Sequence, residues 1–437
     1  MTDCNTEAIQ FPTCKRRHVI AKFNGGNVTS DGGGALFLRQ ADRKLALLER
    51  VAAVLPDSRR QRSCEHDVLS MLRQRVYAIG MGYEDLNDHD ELRKDIAIQT
   101  AVDKDAELAS SPTLCRFENQ ADRKTAWLVH ELIFRTFVES FEEPPEELIL
   151  DFDATDDRVH GQQEGRFFHG YYDHYCFLPL YVFCGDQLLV SYLRPSKIDG
   201  AKHAWAILSL LVKGFRKIWP NVKIIFRGDS GFCRHKMLGW CERHDVKYIV
   251  GIARNKRLKK KAQELIDQAR SDFVETGKKQ RLFGTITYAA NTWKIEREVI
   301  VKAEHTSKGS NPRYVVTNLE GDPQELYDEL YCARGEMENR IKEQQLHLFA
   351  DRTSCHKWYA NQFRLLLSSL AYILVEAIRR LALPGTELAR AQCETIRLKL
   401  MKIGGIIIRN TRRIRFLLSS AYPYRELFFT VADRLRC

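Results

Sequence analysis

The sequence predicts an α/β protein whose sheet is flanked by helical regions. Between residues 148 and 252, short apolar runs bounded by turn residues alternate with helical segments, as in strands joined by crossover helices. On either side, apolar residues recur at helical spacing instead. At 437 residues the chain exceeds one ordinary core, so two to four domains are expected.

The first region, residues 1–143, reads as mainly helical. Thr29–Gly34 is glycine-rich but lacks the following Lys-Ser/Thr of a phosphate loop, so it reads as a turn into a helix over Ala35–Arg50. Amphipathic helices are expected at His66–Met81, Glu91–Ala101 and Lys124–Phe141. Ser111-Pro112 marks a helix start, with Ser111 as cap and Pro112 at the first helical position. That short helix would present Thr113 and Arg116 as a DNA-reading helix does; the plainer alternative is a capped surface helix. Glu142–Glu147, with two prolines, breaks the chain and marks a domain boundary.

Residues 144–254 read as strands Leu148–Asp153, Phe177–Cys184 and Leu188–Arg194, helix Ala201–Ile218, strand Val222–Arg227, helix Cys233–His244 and strand Tyr248–Ile252. The order β-β-β-α-β-α-β is that of an RNase H-like core, in which the first and fourth strands pair in parallel. Residues 255–320 carry a basic helix and three expected antiparallel strands, Leu282–Ala289, Trp293–Ala303 and Arg313–Leu319. They read as a β-rich insertion folded as its own subdomain. Helices resume over Gln324–Phe349 and Lys357–Leu381, within a second core part at 321–382. The last part, 383–437, is expected to be helical and is strongly basic, with Arg397, Lys399, Lys402, Arg409, Arg412, Arg413 and Arg415.

Composition narrows the function. Lys and Arg outnumber Asp and Glu by 68 to 57, for a net charge of +11, which favours a polyanionic partner. No apolar run reaches the roughly 18 residues that span a bilayer, and Met1–Glu7 does not resemble a secretory leader. Nucleic acid in the cytoplasm is therefore the expected partner, and no membrane. The 12 cysteines show no C-x-x-C spacing, so buried free thiols are expected rather than zinc. His169 and His174 lack a partner pair for a metal.

Three carboxylates carry the candidate chemistry. Asp153 ends one apolar run and Asp229 ends another, while Glu338 lies in a helical stretch. Ligands collect at the C-terminal edge of parallel strands. Three oxygen donors there suit a pair of Mg²⁺ ions about 3.5–4 Å apart. Asp151 and Asp156 compete with Asp153; Asp153 is preferred because it fits an Asp-x-Thr pattern with Thr155. Helical spacing places Tyr331, Arg334 and Glu338 on one stripe, with Arg334 able to grip a phosphate.

Together these motifs resemble the DDE transposases of bacterial insertion sequences marked by a Y-x₂-R-x₃-E-x₆-K signature. Tyr331, Arg334 and Glu338 match its first three positions; the fourth falls on Gln345, and Lys342, one turn earlier, is the expected substitute. Leu150–Asp157, His160–Gly165, Ser111–Leu114, Phe349–Cys355 and Asn361–Arg364 resemble its thirteen-eighty family. The resemblance implies Asp153, Asp229 and Glu338 as catalytic metal ligands for two Mg²⁺ ions, or Mn²⁺ in vitro. It implies cut-and-paste movement of a bacterial element with terminal inverted repeats, and an active complex that is a homodimer. Tyr331, Arg334, Lys342, Arg116, Arg412, Arg413 and Arg415 are the expected DNA contacts. In relatives with the insertion, an aromatic residue stacks on a flipped base; Trp293 is the candidate, with core packing the favoured role. A stand-alone nuclease of the same fold and an inactive DNA-binding relative are the rival readings.

Overall fold

The computed structural model describes residues 9–14, 17–21, 29–60, 62 and 64–436. The readings of Met1–Glu7 and Cys437 fall outside them.

The N-terminal region is helical, with α1 (Val68–Met81), α2 (Ser111–Glu118) and α3 (Arg123–Val138) as its main elements. Asp67 caps α1 by accepting from Ser70 N, and Asp122 forms a capping box with Thr125 at α3. At α2 the cap is Ser110, one residue earlier than expected, so Ser111 and Pro112 both lie in the first turn. The expected helix Ala35–Arg50 breaks at Ala46, which adopts a left-handed conformation (φ 48°), into Leu36–Leu45 and Leu47–Val54.

The core strands are β1 (Glu147–Ala154), β2 (Leu180–Cys184), β3 (Gln187–Tyr192), β4 (Lys223–Gly228) and β5 (Lys247–Ile252). Helix α4 (Ala204–Ile218) precedes β4, and α5 (His235–Arg243) links β4 to β5. Then come α6 (Gln263–Thr276), β6 (Gln280–Tyr288), β7 (Arg297–Thr306) and β8 (Arg313–Thr317). The sheet order is β6-β7-β8-β5-β4-β1-β2-β3. β4 lies parallel to both β1 and β5, and the remaining pairs are antiparallel.

The inserted strands are therefore not a separate β-subdomain. β8 pairs with β5 and extends the main sheet. Without it, β5 would present a bare edge of unpaired N–H and C=O groups.

Side-chain alternation divides the sheet into two faces. Leu148, Leu150, Phe152, Ile224, Phe226 and Val250 pack against α4, α5 and α6. On the opposite face, Ile225, Ile249, Ile300 and Val315 pack against Tyr327. Helix α7 (Gly335–Lys342) follows on that side. The expected helix over Gln324–Phe349 is not continuous. It widens into π turns at Leu326–Tyr331 and Glu343–His347, with a 3₁₀ turn at Cys332–Arg334. Such bulges recur at functional sites.

Helix α8 (Trp358–Ala382) is buried along most of its length. It packs on β3 and also on α1 and α3, so sheet and N-terminal helices share one interior. Among the described residues no helix is long and apolar enough to cross a membrane.

The C-terminal part is not all helical. It forms a hairpin of β9 (Gly405–Arg409) and β10 (Ile414–Leu418), then α9 (Arg425–Arg434). β9 also pairs with the short strand Thr29–Ser30. The glycines at 32–34 serve this meeting rather than a simple turn. A Cβ at Gly34 would lie 1.8 Å from the Leu400 carbonyl oxygen, so only glycine admits the backbone there.

Candidate active site

Phe152 and Phe226 meet on the helix-facing side, ring centroids 5.2 Å apart. Alternation therefore sends Asp151, Asp153 and Arg227 to the other face, under the segment that carries Tyr331, Arg334 and Glu338. Phe152 pairs with Gly228 across β1 and β4, so Asp153 and Asp229 leave adjacent strands side by side. Asp229 then caps a 3₁₀ turn by accepting from Gly231 N at 2.8 Å.

Arg334 is the centre of the site. Its Nη2 lies 2.5 Å from Glu338 Oε1 and its Nη1 lies 3.5 Å from Asp153 Oδ2. Burial pushes the Asp153 carboxyl up to about 6; Arg334 pulls it down, and Asp229 and Glu338 raise it further. Burial raises the Tyr331 hydroxyl, which Arg334 lowers and Asp229 raises. Tyr331, Arg334, Asp153, Asp229 and Glu338 thus form one electrostatic unit.

The donor set fits a hard divalent cation: it is all oxygen, and its like charges disfavour ionised Asp153 in the absence of a counter-ion. As arranged, no group of three or more His, Cys, Asp or Glu among the described residues could hold a metal. Arg334 neutralises Asp153 and Glu338 in this arrangement.

Asp151 is separated from Asp153 by its partner. Arg227 Nε and Nη2 donate to the two Asp151 oxygens at 2.5 and 2.7 Å, and Nη1 donates to the Leu330 carbonyl at 2.5 Å. This buried fork joins β1 and β4 to the π turn before Tyr331. Asp156 is engaged by His174 Nε2 at 2.9 Å. Gln345, at the lysine position of the signature, donates to the Asp156 carbonyl at 3.0 Å, while Lys342 is exposed.

The other motifs tie the site to α8. Thr353 donates to buried Asp157 at 2.9 Å, and Trp358 N donates to Glu164 at 3.0 Å. Asn361 bonds both the N–H and C=O of Cys355. Gln362 accepts from Leu193 N and donates to the Ser191 carbonyl, holding the β3 end.

The remaining candidates lie elsewhere. Arg116 is exposed on α2. Arg412 and Arg413 form the turn of the β9–β10 hairpin around Asn410, and Arg415 is on β10; all three are exposed. Trp293 is not at a strand start; it lies in the loop between β6 and β7. Register places that loop at the edge of the sheet opposite Asp153 and Asp229, because Lys302 and Arg313 occupy the catalytic edge. There Trp293 packs on Tyr288 at 5.6 Å, under the Arg297 guanidinium. Packing, not stacking on a base at the cut, fits that position.

Two residues escape the sequence reading. Arg227 had a usable signal, a charge of matching parity with Asp151 inside a buried strand. Gly251 had a weaker one, a glycine within a strand. A Cβ at Gly251 would lie 2.5 Å from Tyr331 Oη and 3.0 Å from Ser230 N. Gly251→Ala is therefore expected to displace Tyr331 and slow DNA cleavage by about 10²-fold, with a near-normal melting temperature. Unchanged cleavage would detach Tyr331 from the chemistry.

No curated protein matches the chain. Among solved structures it is similar to a cryo-EM structure of the piggyBac transposase synaptic complex with hairpin DNA. The identity is 10%, over 92% of this chain and 81% of that one, with a TM-score of 0.43. The family described as transposase DDE domain group 1 matches residues 11–437. A match over nearly the whole chain makes this protein a member of the DDE transposases.

Proposed function

We propose that the protein is the transposase of a bacterial insertion sequence, with an RNase H-like core that cuts DNA at terminal inverted repeats and joins the freed ends to target DNA. The observation that carries this is Arg334 bound to Asp153 and Glu338, beside Asp229 on the neighbouring strand end. Asp153, Asp229 and Glu338 would hold two Mg²⁺ ions, or Mn²⁺ in vitro, which when bound activate a water and stabilise the leaving 3′ oxygen. Arg334, once released from Glu338, is free to fork onto a phosphate. Tyr331, fixed against Gly251, positions that arginine and the sugar beside it. The buried Asp151–Arg227 fork keeps the turn that carries both in register with the strand ends. Hydrolysis and strand transfer use the same groups because both displace an oxygen at phosphorus.

Arg116 on α2 would read the element's ends, with Arg412, Arg413 and Arg415 gripping phosphates and Lys342 supporting them. The active complex is a homodimer acting in the cytoplasm on nucleoid DNA. The test is incubation with Mg²⁺ and DNA bearing the ends of the protein's own element, mapping the products. Free 3′-OH ends at the element's boundaries are expected; cutting that ignores those ends would favour a stand-alone nuclease.

Binding should depend steeply on salt. Each phosphate neutralised adds about 0.9 to the slope of log K against log salt. Replacing Arg412, Arg413 and Arg415 by alanine should therefore flatten the slope by up to about 2.7 units. A slope unchanged by the triple substitution removes the hairpin from the DNA interface.

A further inference from the structure

Between β1 and β2 the chain forms a small antiparallel sheet of Asp157–Arg158, Phe167–His169 and His174–Phe177. Phe177 is buried against Trp358, but packing does not account for Phe168, Tyr171 and Tyr175. Phe168 and Tyr175 pair across the strands with ring centroids 5.7 Å apart, yet they are 52% and 46% exposed. The Arg166 guanidinium lies over the Tyr175 ring, 4.5 Å from its centroid. Tyr171, at the turn, is 86% exposed, and its ring meets that of Tyr172 at 5.0 Å.

From Tyr171 the rings lead toward the carboxylates, on the face of the small sheet opposite Phe168 and Tyr175. Tyr172 meets the His174 ring at 6.1 Å, and His174 holds Asp156, three residues after Asp153. Burial pushes the Tyr172 hydroxyl up to about 12, and both Asp156 and Asp153 add to the rise. Exposed aromatic clusters of this kind mark interaction sites. Rings interleaved with guanidinium groups suit nucleobases, since every base has a π face.

We propose that this hairpin is a stacking platform for unpaired nucleotides of the DNA strand beside the cut, with Tyr171 as its outermost ring. The inference rests on the reading of the protein as a DNA-cutting transposase. A single strand is the fitting occupant because a duplex hides the base faces that such rings receive. Arg158 and Lys197, both exposed, supply positive charge beside the rings for the phosphates. Lys197 itself lies 4.3 Å from the Phe167 centroid.

The test uses the full chain without added metal and two probes: a blunt duplex, and the same duplex with a short unpaired tail containing 2-aminopurine, on either strand. The tailed probe should bind more tightly, with its fluorescence quenched by stacking. Tyr171→Ala should reduce the preference for the tail about fivefold or more and relieve the quench, while Tyr171→Trp retains both. Tyr171 is exposed, so a melting curve unchanged by the substitution is expected. A preference and quench unchanged in Tyr171→Ala overturn the inference. So does a variant that instead splits a dimer, since the face would then join copies of the chain. A wild type that binds both probes but ignores the tail sinks the platform alone; one that binds neither probe sinks the transposase reading with it.

Discussion

Asp153→Ala, Asp229→Ala and Glu338→Ala should each abolish DNA cleavage while DNA binding persists. Removing one ligand forfeits several kcal/mol of transition-state stabilisation, which is about 10³-fold or more in rate. Folding should survive all three changes. Asp229 raises the Asp153 carboxyl, and Glu338 pairs with Arg334 one turn away on the same stretch. A gel assay with Mg²⁺ beside a thermal melt measures both expectations. Near-normal cleavage by any one variant removes that residue from the catalytic set.

Arg227→Met has the second largest expected effect, and it acts through the fold. Asp151 would be left in a buried site with its partner gone, at a cost of about 3–5 kcal/mol. Urea unfolding should show the loss. The double change Arg227→Met with Asp151→Leu should recover most of it, because an apolar pair leaves no buried charge. Cleavage should remain low in the double variant, since the Leu330 carbonyl loses the donor that fixes the turn before Tyr331. If the double variant cuts normally, the fork has no part in positioning Tyr331 and Arg334. The two aspartates thus differ in kind: Asp151→Ala should fail by unfolding and Asp153→Ala by chemistry.

The residues that can be read in order along the chain were legible. Apolar runs ending in Asp153 and Asp229 gave their strands, and the element order gave their parallel pairing. The inserted strands were legible as strands but not as part of the main sheet. Their alternation is the same whichever neighbour they pair with, and only the open edge of β5 decides it. The C-terminal hairpin had local signals in Ile406-Ile407-Ile408 and in the Asn410 turn. The π turns around Glu338 leave no mark in the sequence, because a widened turn keeps nearly the same stripe. Trp293 illustrates the limit of motif reasoning: its placement depends on three successive strand registers, none of which its own neighbourhood encodes.

The pairing of β9 with Thr29–Ser30, and the packing of α9 on α8, have a consequence for biosynthesis. The ribosome makes the N-terminal helices first, but their partners in α8, β9 and α9 emerge some 300 residues later. For that interval the faces of α1 and α3 that pack on α8 stay uncovered. The nascent chain therefore carries an aggregation-prone face until α8 is made. A message cut short before residue 405 yields a product bound for proteolysis rather than a DNA-binding fragment that competes with the intact enzyme.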